Sequence, residues 1–124
     1  MAAGMQILVV DDSKAMRSIV MRAVRQAGYE GVTFVEAANG AEALKTIRAQ
    51  APALVLADWN MPEMSGIELL QALRAEGNAV KVGFVTSESD PAMRDLAFQS
   101  GACFMLTKPF TADAFKAVLG PVLT

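Results

Sequence analysis

The chain of 124 residues contains no histidine and one cysteine. Without His, the Ser-His-Asp and Cys-His nucleophile systems and His-based metal sites are excluded, and the chain cannot itself carry a phosphohistidine. A single Cys excludes an internal disulfide. There is no excess of positive charge. The 11 Lys+Arg face 13 Asp+Glu, a net charge of −2 that offers no electrostatic footprint for nucleic acid. No apolar run approaches the ~20 residues of a membrane span. The opening Met-Ala-Ala-Gly-Met lacks the positive and apolar regions of a signal peptide. Direct nucleic-acid and membrane partners are therefore not expected, and a cytoplasmic location is. Charged residues are also scarce, 19% against 53% hydrophobic, which is too apolar a balance for a disordered chain. The length suits one domain with its own core. The chemistry left open is that of carboxylates, Lys, hydroxyls and a hard metal ion.

Four apolar runs stand out: Ile7-Leu8-Val9-Val10, Leu54-Val55-Leu56-Ala57, Val82-Gly83-Phe84-Val85 and Cys103-Phe104-Met105-Leu106. A weaker fifth is Val32-Thr33-Phe34-Val35. None alternates with polar residues, which suits strands buried on both faces, as in a parallel sheet. Helical patterns lie between them. Met16, Ile19, Val20, Ala23, Val24 and Ala27 recur at helical steps, and Gly28 stops the helix. Asn39 with Glu42 and Ser65 with Glu68 are N-terminal capping pairs, and Asp90-Pro91 is an N-cap followed by Pro at the first helical position. Thr111 opens a last segment carrying Phe115, Val118, Leu119 and Val122. The expected architecture is α/β: βα repeated five times, a doubly wound open parallel sheet covered by helices on both faces. Gly120-Pro121 falls so near the end that nothing folded is expected beyond it.

Ligands of open α/β sheets bind beyond the carboxyl ends of the strands, where strand order reverses. Asp11 and Asp12 follow the first run, Asp58 the third, Thr86 and Ser87 the fourth, and Thr107 and Lys108 the fifth. Each has an ordinary alternative: Asp11 as a helix cap, Asp58 and the hydroxyls as turn residues, Lys108 as a solvated side chain. Their coincidence at one rim favours a site. Three carboxylates at about 5 Å spacing repel one another by roughly 3 kcal/mol per pair at an effective dielectric near 20. Such a cluster must protonate, separate or hold a cation. Lys108 cancels one charge, and Mg²⁺, which accepts a few carboxylates together with water and phosphate oxygens, balances the rest. These are the usual parts for phosphoryl transfer, in which an Asp can itself be the nucleophile.

The stretches Ile7-Leu8-Val9-Val10-Asp11-Asp12-Ser13, Asp58-Trp59-Asn60-Met61-Pro62-Glu63-Met64-Ser65-Gly66, Thr86-Ser87-Glu88 and Thr107-Lys108-Pro109-Phe110 resemble the receiver domain of two-component response regulators. The similarity to the single-domain chemotaxis type is greatest. It covers residues 5–124 and leaves residues 1–4 as a short leader. The resemblance implies a flavodoxin-like five-stranded sheet of order 2-1-3-4-5. It implies that Asp58 is the phosphoacceptor. Asp12, Asp58 and the Asn60 carbonyl would bind Mg²⁺ directly, and Asp11 through a metal-bound water. Lys108 would pair with the phosphoryl group, ahead of a cis bond to Pro109. Thr86 would hydrogen-bond a phosphoryl oxygen and draw in the loop after the fourth strand. The output face made by the fourth helix, fifth strand and fifth helix would change in response. The donor would be a phosphohistidine on a sensor histidine kinase or histidine phosphotransfer protein, and the listener a downstream target protein. Such a protein signals and acts catalytically only on itself, by Mg²⁺-dependent phosphorylation and dephosphorylation. Asn60 and Glu88, two residues beyond Asp58 and Thr86, would tune hydrolysis towards a short-lived phosphoryl group.

One position departs from the family pattern. Met105 stands where the family usually has an aromatic coupled to the Thr, so the output switch is expected to differ while phosphorylation chemistry survives. Phe104 should face the other side of the strand. Lys14, Arg17, Arg22 and Arg25 make the first helix basic, a solvated face in the simpler reading and a kinase-docking surface in the other. Cys103 is expected in the core, and Trp59 partly exposed, where it would report metal binding. The rival readings are a phosphorylation-independent pseudo-receiver, a hydrolase using an aspartyl phosphate, for which no cap segment is visible, and a flavin domain, for which the phosphate-cradling loop is missing.

Overall fold

The computed structural model describes residues 5–88 and 90–123. The expected leader, residues 1–4, and Thr124 lie outside them. The elements run β1 (Gln6–Val10), α1 (Lys14–Gln26), β2 (Thr33–Ala37), α2 (Gly40–Gln50), β3 (Leu54–Ala57), α3 (Gly66–Ala75), β4 (Val82–Thr86), α4 (Pro91–Gln99), β5 (Phe104–Thr107) and α5 (Ala112–Leu123). All pairings are parallel, in the order β2-β1-β3-β4-β5. This is the flavodoxin-like order that the resemblance implies.

The apolar runs become strands because both faces of the sheet are covered. Every residue of β3 and β4 is buried, as are Ile7 to Val10 of β1. Strand alternation splits the core in two. Ile7, Val9, Leu54, Leu56, Val85 and Phe104 join Val20, Val24, Phe115 and Leu119 beneath α1 and α5. Leu8, Val10, Val55, Phe84 and Met105 join Ile47, Leu69, Leu70, Leu73 and Ala97 beneath α2, α3 and α4. Phe104 and Met105 thus face opposite sides, as expected. Gly83 pairs with Phe104 in register, and any Cβ there would run into the Phe104 ring.

The helix starts follow the sequence signals. Asn39 caps α2 by accepting from Glu42 N, Ser65 and Glu68 form a reciprocal capping box on α3, and Asp90 caps α4 ahead of Pro91. Gly28 ends the first helical segment at φ +110°. Thr111 Oγ1 accepts from Ala114 N at the start of α5, which continues through Gly120-Pro121. Two expectations need correction. Cys103 is exposed and lies just ahead of β5, which begins at Phe104. Trp59 is buried, 6% exposed, because its ring turns inward against Phe84 with centroids 5.1 Å apart.

Candidate functional site

The chain runs from β1 outward to β2 on one side, then returns over β1 to β3 and proceeds the other way. The rim between β1 and β3 is therefore the topological switch point. Val10 and Ala57 are register partners there, and Asp58 N donates to Val10 O at 3.0 Å. Asp11, Asp12 and Asp58 leave the sheet at this point together. One carboxylate oxygen from each lies within 4.8 Å of the others.

The three acids differ in how fully they are held. Asp11 is 4% exposed and all its polar groups have partners. Its N–H donates to Ala37 O at 3.1 Å, and its carbonyl accepts from Arg17 Nη1 at 2.7 Å. Its Oδ1 accepts from Ser13 N at 2.9 Å, and its Oδ2 accepts from Lys108 Nζ at 3.2 Å. Ser13, not Asp11, is the N-cap of α1. Asp12 is exposed. Asp58 lies between these extremes, its side chain 13% exposed and its Oδ2 3.5 Å from Lys108 Nζ. Burial pushes the Asp58 carboxyl above its ordinary value. Lys108 opposes the shift, Asp11 adds to it, and the Thr86 hydroxyl and the Trp59 backbone pull the other way.

Lys108 reaches the acids because its backbone N–H is anchored to Thr86 O at 2.8 Å, and its bond to Pro109 is cis. Thr86 is fully buried at the end of β4, and its hydroxyl accepts from Glu88 N at 3.3 Å. Across the rim Asn60 Nδ2 donates to Glu88 Oε1 at 2.9 Å, joining the loops that follow β3 and β4. All the residues expected from the sequence thus converge on one rim: Asp11, Asp12, Asp58, Asn60, Thr86 and Lys108.

Two participants were not legible in the sequence. Gly66 donates to Trp59 O at 2.8 Å, and a Cβ there would collide with the Asp58 carbonyl and the Phe84 ring. Its place in the Ser65-Gly66 helix start was the only signal. Arg17, expected on a solvated or docking face, is instead turned into the fold, 13% exposed and bonded to Asp11 O and Glu36. Lys14, Arg22 and Arg25 remain exposed.

The donor set fits a hard divalent ion. Three carboxylates and one ammonium leave two negative charges. The 4.8 Å envelope of the oxygens is close to the roughly 4 Å that separates opposed ligands around Mg²⁺. The match to a family model for the response regulator receiver domain spans residues 7–119. This chain belongs to the receiver domain family. The receiver is 38% identical to the chemotaxis protein CheY1 of Helicobacter pylori over 122 residues, 96% of this chain and 97% of that one. Among solved structures it is similar to the chemotaxis protein CheY4 of Vibrio cholerae, with a TM-score of 0.84, 31% identity and coverage of 98% of this chain and 100% of that one. It is also similar to the receiver domain of the Francisella response regulator 1452, with a TM-score of 0.85, 26% identity and 96% coverage of both. Receivers of this family are signalling proteins that switch by phosphorylation. No helix among the described residues is long and apolar enough to cross a membrane.

Proposed function

We propose that this receiver is a phosphoacceptor switch of the chemotaxis type, with Asp58 as the residue that takes the phosphoryl group. The observation that carries the reading is the position of Asp58 at the switch point, between two further carboxylates and Lys108. Asp12, Asp58 and the Asn60 main-chain carbonyl are the groups that would hold Mg²⁺, with Asp11 acting through water. The ion, when bound, would supply positive charge against the phosphoryl oxygens.

The remaining work falls to the chain itself. An Asp58 oxygen attacks phosphorus as the bond from phosphorus to the donor nitrogen of a phosphohistidine, or to the carboxylate oxygen of an acyl phosphate, breaks and its electron pair leaves with the donor. Lys108 Nζ follows the charge onto the new phosphoryl group, and its pairing with Asp11 keeps it on the rim. The Thr86 hydroxyl turns to a phosphoryl oxygen. Glu88 N bonds that hydroxyl, so the loop after β4 follows it. The change then reaches the face formed by α4, β5 and α5, with Met105 buried beneath α4 in place of an aromatic ring. Hydrolysis restores the free Asp58, with Asn60 and Glu88 placed to orient the attacking water. The donor is a sensor histidine kinase or histidine phosphotransfer protein and the listener a downstream target, all in the cytoplasm.

The test is intact-mass analysis after incubation with acetyl phosphate and MgCl₂. The wild type gains one phosphoryl group, while Asp58→Asn and wild type in EDTA gain none. An unchanged wild-type mass overturns the reading and favours a binding module that works without phosphate.

A further inference from the structure

Arg17 sits in the first turn of α1 yet behaves as part of the rim. Its guanidinium spans two oxygens, donating through Nη1 to Asp11 O at 2.7 Å and through Nε to Glu36 Oε1 at 2.9 Å. Glu36 and Ala37 are neighbours on β2, and Ala37 O accepts from Asp11 N at 3.1 Å. The end of β2 therefore grips Asp11 at both its peptide groups, directly at the N–H and through Arg17 at the carbonyl. That carbonyl belongs to the planar unit joining Asp11 to Asp12. Fixing it fixes the direction in which Asp12 leaves the turn. Asp12 itself is exposed, so its approach to the cluster is set by the backbone that carries it.

We infer that Arg17 is a positioning residue for the cation site: by clamping the Asp11–Asp12 peptide plane to Glu36, it aims the Asp12 carboxylate at Asp58. The inference rests on reading Asp11, Asp12 and Asp58 as a cation site. Charge and geometry predict opposite outcomes. A guanidinium beside the acidic turn repels a divalent cation, so its removal would tighten binding if charge alone mattered. If Arg17 positions Asp12, its removal weakens binding, because the ligand is no longer pre-aimed.

The experiment titrates the protein with Mn²⁺, counting the free ion by its EPR signal, and then competes the bound ion with Mg²⁺. Thermal melting is recorded in parallel. Arg17→Met keeps the apolar stem and removes the donors. The expected result is a Kd raised about three- to tenfold, at or below the lower end of what partners bonded directly to a ligand atom deliver. A purely structural Arg17 would lower the melting temperature and leave the Kd unmoved. An equal or tighter Kd in Arg17→Met overturns the inference. If that variant does not fold, Arg17→Lys decides, since one ammonium cannot bridge both oxygens as the planar fork does. A weakened Kd then supports positioning, and an unchanged one overturns it. A wild type that takes up no ion at all overturns the site reading and this inference together.

Discussion

Replacing Asp58 by Asn should make the fold more stable in the absence of divalent cations. Carboxylate oxygens of Asp11 and Asp12 lie within 4.8 Å of one from Asp58. At an effective dielectric of about 20 each pair at that distance repels by about 3.5 kcal/mol. Lys108 Nζ, 3.5 Å from Asp58 Oδ2, offsets about 4.7 kcal/mol. Two repulsions against one attraction disfavour the Asp58 charge by about 2 kcal/mol on this count; the Thr86 and Trp59 hydrogen bonds offset part of that, and burial is the largest cause acting against the charge. Water around the exposed Asp12 screens part of this, so a gain of about 1–2 kcal/mol is expected, or about 4–8 °C in Tm. The sign of the pH dependence follows from burial, which raises the folded-state pKa of Asp58. The folded state holds this proton more tightly than the unfolded one. The associated stability is present below the unfolded carboxylate pKa and is lost as pH rises through the folded value. The advantage of Asp58→Asn should therefore be full at neutral pH and fade towards about pH 4. Mg²⁺ should narrow or reverse the gap, because it stabilises the wild type by mass action. Urea unfolding in EDTA and in MgCl₂ across this pH range measures all three effects. A variant no more stable at pH 7 without cation, or an advantage that persists unchanged into acid, refutes the electrostatic reasoning.

Lys108→Arg keeps the charge, but its fork can close on two carboxylate oxygens at once. Phosphorylation by acetyl phosphate should slow by about tenfold or more, while melting changes little. Gly66→Ala forces a Cβ onto the Asp58 carbonyl and the Phe84 ring. It should cost about 2–3 kcal/mol in urea unfolding and slow phosphorylation in proportion to the displaced Asp58. The phosphoryl group on the wild type should decay without a phosphatase, and a half-life of many hours would contradict the role given to Asn60 and Glu88. Glu88→Ala breaks their 2.9 Å bond and should lengthen that half-life by about three- to tenfold, less than the loss of a full general base would cause.

The sheet was legible because central parallel strands are apolar on both faces, so Ile7 to Val10, Leu54 to Ala57 and Val82 to Val85 declare themselves without alternation. The caps were legible because they are local: Asn39 with Glu42, and Ser65 with Glu68, satisfy helix N–H groups three residues away. What failed was side-chain destination where tertiary contacts decide. Cys103 continues an apolar run but stands exposed just before the edge strand β5. Trp59 neighbours the polar rim, yet Phe84, distant in sequence, draws its ring inward. Arg17 lies among exposed basic residues on its helix, and only the returning β2 supplies its partner Glu36.

The unequal treatment of the three acids is what makes the cluster useful. A carboxylate with a donor on each oxygen is a better anchor than nucleophile, since attack must first break a bond that holds it. Asp11 is in that condition, with Ser13 N and Lys108 Nζ on its two oxygens and Arg17 on its carbonyl. It can orient the rim but has little freedom to react. Asp12 is exposed to water, which would suit the proposed exchange of solvent for an ion. Asp58 is desolvated enough to raise its pKa, and its nearest cation stands at 3.5 Å, longer than the 3.2 Å contact that Lys108 makes with Asp11. Of the two acids that face Lys108, Asp58 is thus the more weakly paired. On the proposed reading, a bond to phosphorus would relieve that deficit by turning a crowded carboxylate oxygen into the bridging oxygen of an acyl phosphate, with the phosphoryl charge carried outward to where Lys108 and the Thr86 hydroxyl can meet it.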